Sequence, residues 1–385
     1  MSVRKEYKRV NWVEGMDVRL EQFEQTENHY TNALCDTLAV QLNKNNFGLL
    51  PSIDGKSDSS EFDISERVTN TVEIKLRRCN AITSGGCRIS YNPSHTDSII
   101  YMHTFDMEKE YDPTRTLYWD VVITADPFKR IPVGMPDAET TPPRHPDADS
   151  SYQLSITPKG QLNPEQLGLF HLVIGRIRQR GGRHEVDVNF IPPCTSMASH
   201  TDLVRYYELF GSLLNDIERA SKVIMAKIRN RTQNSPIANH IGSLCEDLMR
   251  HIATIYFNYR NTGLESPPVH IVNYFSTLAH ICYASMNFMN KTDKEELLRY
   301  FYEWNDVTPG SFEELLSNTL GIIYDHNDIR TIMIQIESFL RVMSELWLRL
   351  STLEYIGQHK DNIVVSERSQ NQEQVKRTGG WTILD

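Results

Sequence analysis

Three stretches of the chain bring together residue types that could do chemistry. DGKSDSSEFDISE, residues 54 to 66, is dense in carboxylates and hydroxyls, the oxygen ligands that hold calcium. A twelve-residue EF-hand loop, however, needs Gly at its sixth position for the sharp turn and Glu at its twelfth for two oxygens, and here these are Ser59 and Ser65. The stretch therefore reads as a solvated loop. His171, His184 and Glu185 are metal-ligating types, yet alternation puts the two histidines on different candidate strands and turns Glu185 away from His184. GRIRQRGGRH carries Arg176, Arg178, Arg180 and Arg183, an RGG-like cluster that could meet RNA. Without aromatics beside it to stack bases, it reads as a solvated hairpin tip. There is no G-x-S-x-G, no Walker loop, no dinucleotide glycine fingerprint and no H-E-x-x-H. The expectation is a protein that is not an enzyme, with no catalytic residue, cofactor or metal.

The elements that would position these residues fall into two regimes. Up to about Pro193 the pattern alternates: in TVEIKLRRC, Val72, Ile74 and Leu76 point one way and Glu73, Lys75 and Arg77 the other, and in HEVDVNFI the same holds for Val186, Val188 and Phe190. Further strands are expected at 87 to 91, 98 to 103, 118 to 124, 152 to 156 and 168 to 177. SGG at 84 to 86 and RGG at 180 to 182 supply the glycines of tight hairpins. Residues 126 to 151, rich in Pro and Asp, read as an excursion rather than an element. Seven or so antiparallel strands imply a sandwich.

Ahead of the strands, Leu20, Phe23, Tyr30, Leu34, Leu38 and Leu42 recur at helical intervals among polar residues, with Trp12 and Met16 placed to staple the helix entry against the core. After Pro193 the period becomes helical. Leu203, Tyr206, Phe210, Leu213, Ile217, Ala220 and Ile224 keep the 3-4 spacing of a coiled-coil seam, and Ile332, Ile336, Phe339, Met343, Leu346, Leu350 and Leu353 repeat it. Helices are also expected at 240 to 258 and 268 to 289, the second opened by SPP. Four helices can satisfy one another in a single bundle, or the two seams can join copies of the chain along a symmetry axis. The fold class is α+β and multidomain: an antiparallel β-sandwich followed by a helical bundle.

The 385 residues suffice for two or three cores, and 39% apolar with 23% charged residues is a globular composition. A net charge of −10 argues against a protein that neutralises phosphates, so nucleic acid is not an expected partner. No apolar run approaches the roughly 18 residues that would span a bilayer, which excludes direct membrane insertion by a helix. Cys35, Cys79, Cys87, Cys194, Cys245 and Cys282 lack short paired spacings and read as buried thiols.

VNWVEGMDVRLEQFEQ at the start of the chain resembles the N-terminal signature of the TssK family of type VI secretion baseplate proteins, approximately W-x-E-G-M-x-L-x-P-Q-H-F-Q-Q. Trp12, Glu14, Gly15, Met16, Phe23 and Gln25 fall on the pattern, whereas Val18, Leu20, Glu21 and Gln22 depart from it. VEIKLRRCNAITSGGCRISY, PVGMPDAETTPPRHPDADSSYQLSI and FIPPCTSMASHTDLVRYYELF are similar to family segments in the same order, so the resemblance extends from about residue 9 to about 356.

The resemblance implies a shoulder (1–195) of sandwich plus N-terminal helix that docks on baseplate wedge proteins of the TssF and TssG type. It implies a helical neck (196–358) that makes a homotrimer, and a place in the cytoplasm at the inner face of the bacterial inner membrane. Docking is expected at Trp12, Glu14, Gly15, Met16 and Phe23. The trimer interface is expected at Leu203, Tyr206, Phe210, Leu213, Ile217, Ile224, Ile336, Phe339, Met343, Leu346 and Leu350. A head domain that meets membrane-proximal secretion components has no evident room here: residues 359–385 read as a flexible tail, whose Trp381, Ile383 and Leu384 after Gly-Gly form an apolar tag. Two other classes stay open, a phage tail baseplate or receptor-binding protein and an enzyme with an unrecognised site in the acidic loop.

Overall fold

The computed structural model describes residues 6–52, 58–67, 71–92, 99–105 and 115–360. The tail tag Trp381, Ile383 and Leu384 lies outside the described residues. The chain opens with α1 (Leu20–Ala39) and then builds two antiparallel sheets. In the first, β3 (Thr71–Ile82) pairs with β1 (Gly48–Leu49), β2 (Ser60–Arg67), β4 (Arg88–Tyr91) and β5 (Ile100–Thr104). The second has the order β7-β6-β8-β9, from β6 (Leu117–Val133), β7 (Asp147–Pro158), β8 (His171–Arg180) and β9 (Arg183–Val186). Val72, Ile74 and Leu76 are fully buried, as the alternation requires, and share a core with Trp119, Val121, Ile123, Leu172 and Ile174 of the second sheet. The sheets meet where the Phe62 ring of β2 lies over Gly175 of β8, where any Cβ would overlap it.

Three strand readings are corrected. Residues 60 to 66 are not loop but most of β2, with Phe62 and Ile64 packed on the core. The excursion of 126 to 151 is strand at both ends, because β6 and β7 continue their pairing from Arg130↔Ser150 to Val133↔Asp147 beyond a register shift. That shift breaks the alternation on which the sequence reading relied. Val188, 71% exposed, lies past the end of β9, and Phe190 is buried instead beneath the Arg176 guanidinium, 4.1 Å from its ring centroid.

A short α2 (Pro164–Leu167) precedes β8, and the second half contains α3 (Thr201–Arg229), α4 (Pro236–Thr262), α5 (Pro268–Asn287), α6 (Lys291–Asn305), α7 (Pro309–Leu320) and α8 (Ile329–Thr352). Helices α6 and α7 are additions to the four expected, although their starts are marked in the sequence. Asn290 caps α6 by accepting from the Asp293 amide at 2.9 Å, and Thr308 followed by Pro309 opens α7, the hydroxyl accepting from Ser311 at 3.2 Å.

Candidate docking surfaces

Helix α1 is seated the reverse of an ordinary amphipathic helix. Leu20, Phe23, Tyr30, Leu34 and Leu38 are between 44% and 72% exposed, while Cys35 is its buried residue and Gln22, Asn28, His29 and Asn32 are half-covered. Polar contacts hold the helix down. Arg130 of β6 donates to Glu27 (3.1 Å) and Asn28 (3.2 Å). His29 donates through Nδ1 to the Tyr7 carbonyl (2.7 Å) and accepts from Arg9 (3.1 Å). The Tyr7 ring lies 4.5 Å from Phe128. Five large apolar side chains left roughly half or more in water forgo a good part of the about 1.5–3 kcal/mol that full burial of each contributes.

The expected docking residues cluster at the N-terminal end of this ridge. Trp12, 51% exposed, meets Phe23 at 6.4 Å, Glu14 is exposed, Gly15 takes φ +80 in the turn closed by the Met16 amide on the Val13 carbonyl (3.2 Å), and Met16 is half-buried. The staple expected of Trp12 is corrected: it packs outside, on a residue that is itself exposed. Leu20, Tyr30, Leu34 and Leu38 extend the same surface, and their helical spacing was visible in the sequence although their outward direction was not.

The seams point inward. Leu203, Tyr206, Phe210, Ile217, Ile224, Ile336, Phe339, Met343, Leu346 and Leu350 are buried within the single chain and Leu213 is half-buried, as α3 and α8 pack along one another. Phe210 meets Phe275 of α5 edge-on at 5.3 Å, and Phe301 of α6 lies 5.9 Å from Trp347 of α8. The placement of these residues at a trimer interface is therefore corrected: α5, and α6 as an addition to the four expected helices, supply partners for the seams inside one chain.

The two halves are joined at the P-P-C segment. Leu49 donates to the Pro193 carbonyl (2.7 Å) and accepts from Thr195 (2.9 Å), so β1 pairs with the connection itself. Gly48, at φ +123, makes this possible, because a Cβ would overlap the Pro193 carbonyl. Asp58 accepts from the Thr201 amide (2.8 Å), Arg330 of α8 pairs with Asp202 of α3 and donates to the Asn189 carbonyl (2.7 Å), and His326 is held between the Phe47 carbonyl (2.7 Å) and the Tyr324 hydroxyl (2.8 Å). Burial pushes His326 below the ordinary imidazole value despite the Phe47 carbonyl, so it stays neutral, donating through Nε2 and accepting at Nδ1.

Residues 150–352 match the family model described as Bacterial Type VI secretion, VC_A0110, EvfL, ImpJ, VasE. The chain belongs to this family. A solved structure described as the crystal structure of TssK shares the fold, with a TM-score of 0.51 at 14% identity over 87% of this chain and 69% of that one. Two further structures are similar, one of the type VI secretion baseplate complex (TM-score 0.49, 14% identity, 88% of this chain, 100% of that one) and one of a TssK-TssF-TssG baseplate subcomplex (0.47, 14%, 88% and 100%). No curated protein matches. The resemblance read from the opening signature and the P-P-C junction is borne out.

In this family member the residues that could have done chemistry serve the fold. His171 bonds the Gly168 carbonyl through Nδ1 (2.5 Å), whereas His184 stacks on Phe105 at 4.2 Å and binds Glu66 (2.9 Å). Burial raises the Glu66 pKa, but the His184 amide and ring outweigh it, and the carboxyl ends below its ordinary value. Arg176 is paired with Asp120 on the face of the second sheet turned away from the first (2.7 Å) and Arg178 with Glu185 (2.7 Å). In the acidic loop between β6 and β7, Asp137 accepts from the Glu139 amide (2.9 Å) and thereby shapes a turn. All six cysteines are buried thiols. No helix among the described residues is long and apolar enough to cross a membrane.

Proposed function

We propose that this chain is a structural, non-catalytic subunit of a type VI secretion baseplate, a homotrimeric adaptor that joins wedge proteins to the membrane-proximal complex at the inner face of the inner membrane. Membership of the secretion family, across the bundle and the last three strands of the sandwich, carries the reading. TssF- and TssG-type proteins are the wedge partners proposed, and the exposed Trp12–Phe23 pair, with Glu14, Gly15 and Met16 shaping the turn before it, is the docking end. An exposed aromatic pair is the kind of anchor that dominates binding energy once a partner excludes water from it. With the seams consumed in the core, the trimer would use outward side chains of the bundle, such as Phe257 of α4 and its neighbour Tyr256, which lines the groove at Gly211. Three linked copies would then engage the wedge with avidity.

The test is to co-express the chain with its wedge-type genomic neighbours and weigh the purified complex. A complex containing three copies of this chain supports the proposal, whereas a monomer at micromolar concentration that retains no wedge protein refutes it.

A further inference from the structure

The outward face of α1 demands an occupant, and its chemistry limits what that occupant can be. Leu20, Phe23, Tyr30 and Leu34 follow one edge of the helix, with Glu27 inside the run and Leu38 continuing it. The helix carries Glu21, Glu24, Glu27 and Asp36 and neither Lys nor Arg. Beside the ridge, Glu24 and Glu27 share the single guanidinium of Arg130, at 3.7 and 2.8 Å, which leaves the pair one negative charge in excess. Packing two copies of α1 face to face would set Glu27 against Glu27 and oppose helices that both lack a cation, an arrangement that disfavours pairing. An anionic lipid surface is disfavoured by the same charges.

Resting on the baseplate reading, we propose that α1 docks as a helix in an apolar groove of the wedge protein, whose rim places a Lys or Arg near Glu24 and Glu27, and that this ridge is not a contact between copies of the chain. The mode is that of an amphipathic helix whose anchors follow one face. Here the helix is already folded and fixed to the sandwich through Arg130, through Tyr7, which bonds His29 and packs its ring on Phe128, and through buried Cys35, so little ordering entropy is lost on binding.

The experiment uses the full chain co-expressed with the two wedge-type proteins. Leu34→Asp alters an exposed side chain and should weaken wedge binding at least about tenfold, the effect of a lost anchor. Glu24→Lys, which leaves Glu27 and Asn28 on Arg130, should weaken it several-fold. Both variants should keep the wild-type oligomer mass, and the protection of Cys35 from thiol reagents should show that α1 remains seated. Wedge binding unchanged in both variants overturns the inference while leaving the baseplate reading intact. A fall in oligomer mass with Leu34→Asp also overturns it, because the ridge would then join copies. Failure of the wild-type chain to bind the wedge proteins overturns the baseplate reading and, with it, this assignment of the ridge.

Discussion

Phe210→Ala separates a core seam from an interface seam. The ring is fully buried, packed edge-on against Phe275 at 5.3 Å and tilted against Tyr206 at 5.5 Å. Truncating a buried Phe to Ala costs about 3–5 kcal/mol in lost transfer energy and residual cavity, and the two aromatic contacts favour the upper half of that range. A loss of about 4 kcal/mol lowers the folded-to-unfolded ratio nearly a thousandfold. The assay is urea denaturation followed by far-UV circular dichroism at two protein concentrations, with light scattering on the native sample. Loss of stability at both concentrations, with the native mass of the wild type, is the expected outcome. A variant that keeps the wild-type midpoint at the higher concentration but sheds subunits would return the seam to the interface and refute the reasoning.

Gly48→Ala should cost upwards of about 2 kcal/mol, since it strains φ +123 and drives a methyl group into the Pro193 carbonyl; hydrogen exchange should show faster opening of the Leu49 amide. Burial holds His200, His251 and His326 below the ordinary 6.5, so below that pH the unfolded chain binds more protons than the folded one. Their contribution to stability is therefore present above pH about 6.5 and lost as pH falls through the unfolded value towards the depressed folded ones, which a denaturation series from pH 7.5 to 5.5 would show as a falling midpoint. Burial pushes Cys79, Cys245 and Cys282 up to about 12, and Cys87 is raised first by its hydrogen bond with Cys35 and then by burial. The native protein should accordingly expose no thiol to a colorimetric disulfide reagent at pH 8, and the denatured protein six; rapid native labelling would contradict this burial.

Much of the fold was legible because its signals are local. Val72, Ile74 and Leu76 alternate with charged residues, and a strand has no other way to place successive side chains than on opposite faces. Gly181 and Gly182 took the positive φ expected of a hairpin, and α5 begins at Pro268 of the SPP break. Phe62 and Ile64 of β2 are hidden among acids, and a register shift interrupts the period by which the full length of β6 and β7 would show. Helices α6 and α7 have their starts marked at Asn290 and Thr308 but carry no long apolar period, since α6 begins among charged residues and α7 is short.

The sequence by itself determined that α1, α3 and α8 each carry an apolar face. It did not determine what covers that face, because the free energy of removing apolar area from water is indifferent to whether the covering atoms belong to the same chain. Tertiary structure decided it in opposite senses. Phe275, Phe301 and the neighbouring helices close over the seams of α3 and α8, which therefore belong to the core. Arg130 and Tyr7 hold the polar edge of α1 to the sandwich and leave Leu20, Phe23, Tyr30, Leu34 and Leu38 facing outward. The same helical spacing became a core in one half of the molecule and a docking surface in the other, because the partners that decide between them lie far away in sequence.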